Sequence, residues 1–286
     1  MNESAHREQE EARGNSGRED LGFDLLLRYL GSQFGLDFKQ YKPNYLRRRI
    51  GVRMRATGCS DYLHYRQYVR QHPEEYKRLI NDLTINVTEF FRDPDVFEAL
   101  RSWVIPEIFD YKGRIGSYNL RVWSAGCATG EEPYSLSILF HDAIRERGLS
   151  TSWILRITAT DLDDEALRIA KEGYYENVRL LPGMELDRYF HREGKGYRVK
   201  EEIKRPVRFV LLDLMRRPPL RHLDLVLCRN VLIYFEREKQ VKILDIFAQC
   251  LRSGGFLVLG KSETIAGSEG SSFKPWRRKE RIYVRV

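Results

Sequence analysis

The residues best suited to chemistry in this 286-residue sequence sit where short apolar runs end. The first run, over residues 120–126, gives way to Ser124-Ala125-Gly126-Cys127-Ala128-Thr129-Gly130-Glu131-Glu132-Pro133. Small residues and two glycines let a backbone approach a ligand closely, and Pro133 starts a helix at once. That is the form of a nucleotide-type crevice at the carboxyl edge of a sheet. The turn is not a G-x-G-x-x-G fingerprint, and Glu131 and Glu132 at the helix start would repel a pyrophosphate. A nucleoside carrying positive charge suits them better. S-adenosylmethionine, with its sulfonium and ammonium groups, is such a ligand.

Three further strand ends carry ligand-shaped residues. In Thr160-Asp161-Leu162-Asp163, Asp161 is placed to accept both ribose hydroxyls, while Asp163 serves equally well as the N-cap of the helix that follows. The competing reading makes caps of both acids. Leu212-Asp213-Leu214 sets an acid beside an apolar side chain, a combination that fits an adenine edge. Arg229 and Asn230, at the mouth of the run ending in Cys228, would be wasted in a core and suit a substrate mouth, with Tyr234 following. Nucleophilic constellations of the Ser-His-Asp or Cys-His kind are missing among the six histidines. The four cysteines form no C-x-x-C pair, so we expect reduced thiols and no metal site.

Positioning these residues takes an α/β scaffold. From residue 120 onward, apolar runs alternate with helical stretches, and two-sided apolar strands argue a doubly wound, mostly parallel sheet. Helices are expected over 133–148, 164–173 and 237–255, with strands over 120–126, 153–161, 207–214, 223–230, 256–260 and 281–286. Residues 174–206 break the alternation and read as an inserted β-hairpin subdomain turning at Gly194-Lys195-Gly196. Such an insertion is either ornamental or a partner contact. Ahead of the sheet, residues 1–19 read as a disordered tail and 20–85 as an all-helical domain. Residues 86–119 read as a linker loop and a helix opened by Pro94. In the helical domain Ser60 is the expected N-cap of the third helix and Pro73 the first residue of the fourth.

Charge is concentrated in the helical part. The chain has 49 Lys and Arg against 41 Asp and Glu, a net +8. Residues 39–70 hold nine basic residues and one acid, so this stretch carries the whole excess. On a helical wheel Leu46, Ile50 and Met54 form one apolar stripe, while Arg47, Arg48, Arg49, Arg53 and Arg55 cover the rest. The surface is either a solvated helix face or a dock for an anionic partner. No apolar run is long enough to span a membrane, and the polar start is no signal peptide, so a cytoplasmic protein without membrane insertion is expected.

At this level of detail the sequence resembles a known family. Residues 84–93 (TINVTEFFRD), 122–135 (VWSAGCATGEEPYS), 159–163 (ATDLD), 228–235 (CRNVLIYF) and 254–263 (GGFLVLGKSE) resemble, in this order, the chemotaxis receptor methyltransferases of the CheR family. The resemblance implies the S-adenosylmethionine-dependent methyltransferase fold. The implied reaction is O-methylation of glutamate side chains on the cytoplasmic helical region of methyl-accepting chemotaxis receptors, which serves sensory adaptation and leaves S-adenosylhomocysteine. By motif match, the implied cofactor contacts are Asn86, Thr88, Arg92, Glu132, Asp161, Asp213, Leu214, Arg229 and Asn230. Arg92 and Tyr234 would stand beside the transferring methyl. Arg92 would pair with the cofactor carboxylate or orient the substrate, and Tyr234 would offer a hydroxyl or plug the space under the cofactor. The arginines Arg47, Arg48, Arg49, Arg53 and Arg55 would dock the receptor, and the enzyme would act as a monomer. The alternative reading is a nucleic-acid methyltransferase with a basic docking helix. It lacks the D-P-P-Y or N-P-P-Y motif of amine methylation.

Overall fold

The computed structural model describes residues 3–84, 86–148, 153–216, 218–265 and 272–286, with side chains from residue 19 onward. Its described residues divide into two compact units. One comprises the chain up to Thr84 together with Tyr234–Glu236, and the other holds the rest.

The first unit is helical: α1 (Glu3–Phe34), α2 (Pro43–Thr57), α3 (Tyr62–Gln71) and α4 (Glu75–Leu83). The tail expected over residues 1–19 is instead helical from Glu3, continuous with the packed part of α1. Glu, Gln, Arg and Ala, strong helix formers, favour the helix over residues 3–13, whereas Gly14-Asn15-Ser16-Gly17 oppose it, and the sequence gives no account of its continuation through them. Farther on, Phe23, Leu26, Leu27 and Leu30 recur at helical spacing and are buried. Two helix starts also differ from expectation. Asp61, not Ser60, caps α3 by accepting the Leu63 and His64 amides. A carboxylate is the stronger acceptor, and it also opposes the helix dipole. Pro73 lies in the turn before α4, outside the helix.

The second unit opens with α5 (Pro94–Ala99), a π-helical turn (Leu100–Val104) and α6 (Ile105–Arg114). The π turn has a cause in the sequence. Pro106 has no N–H to donate and its ring crowds the preceding turn, so the helix widens until the Ile105 amide reaches the Leu100 carbonyl. The alternating part follows as β1 (Asn119–Ala125), α7 (Glu131–Glu146), β2 (Ile154–Asp161) and α8 (Asp164–Glu172). Next come β3 (Tyr174–Tyr175), β4 (Phe190–Glu193), β5 (Gly196–Val199), α9 (Glu201–Lys204), β6 (Val207–Leu211) and β7 (Leu223–Cys228). The chain closes with α10 (Arg237–Cys250), β8 (Leu251–Leu259), β9 (Phe273–Arg277) and β10 (Ile282–Arg285).

The main sheet has the order β6-β2-β1-β7-β8-β10-β9, parallel as far as β8 and antiparallel for its last two pairings. The strand order reverses at β1, which has β2 on one side and β7 on the other, so a crevice opens at their carboxyl ends. The insertion forms a separate antiparallel sheet, β3-β5-β4. Its β4–β5 hairpin turns through Gly194 and Lys195 between the paired residues Glu193 and Gly196. Residues 86–119, expected as a linker and helix, belong to the body of this unit. Phe90, Phe91, Val96, Phe97 and Leu100 share one core with Val122, Leu225 and Val258 of the sheet.

Candidate cofactor-binding and active site

The turn after β1 is built around two glycines that no other residue could replace. Gly126 has φ +80°, and a Cβ there would lie 2.4 Å from Val231 Cγ2. Gly130 has φ +97°, and a Cβ there would lie 2.8 Å from Ala170 Cβ. The turn is tied to the end of β2, since the Gly126 and Cys127 amides both donate to the Thr160 carbonyl, at 2.7 and 2.9 Å. From the insertion, the Tyr175 hydroxyl donates to the Thr129 carbonyl at 2.7 Å.

Asp161 closes the same turn. Its Oδ2 accepts the Ala128 amide at 2.8 Å and its Oδ1 accepts the Asp163 amide at 3.1 Å. Each oxygen retains a lone pair, so the group can hold the turn and still accept from a ligand hydroxyl. Asp163 resolves as the cap of α8, accepting the Glu165 and Ala166 amides, while its other oxygen accepts Asn86 Nδ2 at 2.7 Å. Asn86 thus links residues 86–93 to the end of β2. Asp213 accepts the Met215 amide at 2.9 Å, and Leu214 beside it is buried.

Charge gathers at the mouth of β7. The Arg229 guanidinium, 2% exposed, pairs with Asp93 and lies 3.6 Å from Glu132, whose other oxygen accepts the Ser124 hydroxyl at 2.8 Å. Asp93 also faces Lys261, at 3.5 Å. Residues 86–93 reach this cluster through strained backbone. Phe91 and Asp93 have φ of 53° and 58°, a region that costs a non-glycine residue about 1–3 kcal/mol unless its surroundings enforce it. The Ser135 hydroxyl, which accepts the Phe91 amide at 3.0 Å, and the Arg229 pair enforce it here. Arg92 donates to the Val87 carbonyl at 2.8 Å, and Thr88 is half-buried in the same segment.

Two polar atoms at this mouth, Arg229 Nε and Asn230 Oδ1, are buried without a hydrogen-bond partner. Buried polar groups are normally satisfied, so an unpaired donor beside an unpaired acceptor marks a place for a ligand that carries both. The carboxylate and ammonium of an amino-acid group meet that description. Burial also raises the carboxyls of Asp161, Glu131 and Glu132 above their usual range, with Arg229 opposing the shift at Glu132. A carboxyl that holds its proton more tightly when folded contributes stability that is complete below its unfolded value of 3.8 or 4.5. That contribution disappears as pH rises through the folded value. Glu132→Gln removes one such titration, so its unfolding midpoint should gain on that of the parent as pH is raised above 4.5. Denaturant unfolding at a series of pH values checks this, and a difference that is flat with pH would contradict it.

With this geometry, residues 86–281 match the S-adenosylmethionine-binding domain of CheR methyltransferases, and residues 21–84 match their all-alpha domain. The chain belongs to the CheR methyltransferase family. The CheR-family chain is 33% identical over 262 residues to the chemotaxis protein methyltransferase of Escherichia coli, covering 87% of this chain and 86% of that one. Against the chemotaxis protein methyltransferase of Listeria monocytogenes it is 33% identical over 251 residues, covering 86% and 92%. A 104.1 kDa protein of Rhodobacter capsulatus is 39% identical over 233 residues, and this chain spans 24% of its length. As a CheR-type enzyme the protein is an S-adenosylmethionine-dependent protein-glutamate O-methyltransferase of the chemotaxis class.

The predicted site residues Asn86, Thr88, Arg92, Glu132, Asp161, Asp213, Leu214, Arg229 and Asn230 all lie in the sheet-bearing unit, Glu132 in the first turn of α7 and the others at or just past strand ends or in the 86–93 segment. Tyr234 groups with the helical unit, where its ring stands 4.8 Å from that of Tyr45 and its carbonyl accepts the Lys42 amide at 3.0 Å. The five arginines expected to dock a partner divide. Arg48 and Arg55 are exposed. Arg49 lies 5.9 Å from the Tyr45 ring. Arg47 pairs with Asp20 at 2.6 Å and covers the Phe23 ring at 4.0 Å. Arg53 is committed inward to Glu75 at 2.8 and 2.9 Å and to Asp82 at 3.2 Å, which takes it off the docking face. Sequence reasoning missed Asp93, the partner of Arg229, and Glu263, which accepts the Asn230 amide. Both stand inside motifs already singled out, but their roles depend on partners 136 and 33 residues away.

Proposed function

We propose that this enzyme methylates glutamate side chains on the cytoplasmic helical region of chemotaxis receptors, working in the cytoplasm with the cofactor in the crevice between β1, β2 and β7. The observation that carries the site assignment is the pair of buried, unpartnered atoms Arg229 Nε and Asn230 Oδ1, with Glu132 3.6 Å from the Arg229 guanidinium. Arg229 and Asn230 would hold the amino-acid end of the cofactor, Asp161 its ribose, and Asp213 and Leu214 its base. Asn86 and Thr88 would border it, and Glu132 would keep Arg229 in place. When bound, S-adenosylmethionine supplies an electrophilic methyl group and a neutral thioether leaving group.

The chain's own task is then positioning. A glutamate side chain with its usual pKa near 4.3 is about 99.8% ionised at pH 7, so it needs no general base. That accords with a site holding no histidine among its assigned residues. Arg92 is suited to a one-sided contact, because a bidentate grip on both attacking oxygens would blunt them. Tyr234 is assigned to the same end of the reaction by motif. Arg48, Arg49 and Arg55 would face the acidic surface that a helix rich in methylatable glutamates presents.

Incubation with methyl-labelled S-adenosylmethionine and a cytoplasmic receptor fragment tests this reading. Label on the fragment should be released as volatile methanol by mild alkali, the behaviour of a carboxyl ester. Alkali-stable label, or label on added RNA instead of protein, would overturn it.

A further inference from the structure

Glu263 is the fourth residue past the end of β8, the strand parallel to β7 on its far side from β1. It is 5% exposed, and the proposed cofactor contacts do not include it. Its carboxylate is engaged by three backbone amides of the protein. Oε2 accepts the Gly260 amide at 2.7 Å and the Asn230 amide at 3.0 Å, and Oε1 accepts the Ile233 amide at 3.3 Å. The Glu263 amide in turn donates to the Gly260 carbonyl at 2.9 Å, closing a tight turn that aims the side chain back at β7. A Cβ on Gly260 would lie 2.7 Å from the Asn230 amide nitrogen and 2.8 Å from Glu263 Oε2, so only glycine allows the approach.

The segment this carboxylate grips is the one that bears the unpaired polar atoms. Asn230 sits at φ 60°, a conformation asparagine tolerates better than most residues but does not prefer. Without an acceptor for its amide, the turn would relax toward negative φ and swing both Arg229 and Asn230 away from the mouth. The Asn230 and Gly260 amides converge on the single oxygen Oε2, so the group at position 263 must offer an acceptor at that place.

We propose that Glu263 is a positioning residue for methyl transfer. Its carboxylate holds the 230–233 turn in the conformation that presents Arg229 and Asn230 to the cofactor. This rests on the reading of the crevice as the cofactor site. Because Ile233 precedes Tyr234 directly, the same staple also sets where the chain leaves the sheet-bearing unit.

The test uses the full chain and S-adenosylhomocysteine as the probe. Titration calorimetry well below the unfolding temperature should show Glu263→Ala binding about 10- to 100-fold more weakly, the size of effect seen where a group that orients metal ligands is removed. Amide hydrogen exchange at Asn230 and Gly260 should quicken in the same variant. Glu263→Gln keeps one oxygen for the Asn230 and Gly260 amides and loses only the longer bond to Ile233, so it should recover affinity to within about 3-fold of the parent. Gly260→Ala, whose Cβ would press on both the Asn230 amide and the carboxylate, should weaken binding as well, and if Glu263→Ala does not fold, Glu263→Asp, whose shorter side chain withdraws the carboxylate from those amides, takes its place in the test. Parent-like affinity in folded Glu263→Ala or in Gly260→Ala would overturn the proposal. Failure of the parent itself to bind S-adenosylhomocysteine would instead overturn the site reading on which the proposal rests.

Discussion

Asp161→Ala should leave a folded protein that binds S-adenosylhomocysteine at least about 100-fold more weakly and retains about 1% or less of methyl transfer. The two halves of this expectation have separate causes. On the stability side, truncation orphans the Ala128 and Asp163 amides, each worth about 1–3 kcal/mol when buried without a partner. It also removes a carboxylate whose ionised form burial disfavours, and the two effects oppose each other. The unfolding midpoint should therefore move little. On the function side nothing compensates. Asp161 holds the turn between Gly126 and Gly130 at its centre, and it supplies the free lone pairs proposed for the ribose. Asp161→Asn should be nearly as impaired, because its amide nitrogen would place a donor against the donor of Ala128 or Asp163. Calorimetry with S-adenosylhomocysteine and a melting curve on the same preparations separate these contributions. Parent-like affinity in a folded Asp161→Ala would remove Asp161 from the site.

Features that depend on local chemistry were readable from the sequence. Pro133 and the two glycines announce a strand, turn and helix because each constrains its own backbone, and the acids at 161 and 163 stand where a strand ends and a helix begins. Even the ambiguity between them had a local origin, since both types of acid cap helices, and the geometry assigns the cap to Asp163. What escaped depended on distant partners or on weak local signals. Strand β9, with sequence FKPWR, carries a proline and four basic or aromatic residues that mark no clear alternation, and it forms only as the outer neighbour of β10. Strand β8 begins at Leu251, inside the stretch 251–255 expected as the end of the helix, because pairing of Leu251 with Leu223 of β7 draws it into the sheet. Glu263 looks like any surface acid until the fold brings Asn230 and Ile233 onto its oxygens.

The basic helix α2 shows the same limit most clearly, and it yields a prediction that separates charge from fold. By composition its arginines are equivalent. By environment Arg53 is a core residue, 15% exposed at its side chain and bidentate to Glu75, which is 1% exposed and also accepts the Tyr65 hydroxyl at 3.0 Å. Removing one partner of such a pair leaves the other charged and buried, a cost of about 3–5 kcal/mol. Arg53→Ala should accordingly lower the stability of the helical unit by about 3 kcal/mol, read as a shift in the urea midpoint. Paired replacement with Glu75→Gln should recover part of that loss. The double variant Arg48→Glu/Arg55→Glu, at exposed positions, should change stability by no more than about 0.5 kcal/mol while weakening binding to an acidic receptor fragment at least about 10-fold. Its remaining affinity should also depend less on salt, since the Debye length falls from about 30 Å at 0.01 M to about 8 Å at 0.15 M and screens mainly exposed charges. If instead Arg53→Ala unfolds nothing and costs affinity, the inward pair is not what holds α2 to α4, and Arg53 returns to the docking face. Affinity that ignores both the reversal at Arg48 and Arg55 and the salt concentration would mean that α2 carries its charge for some other partner.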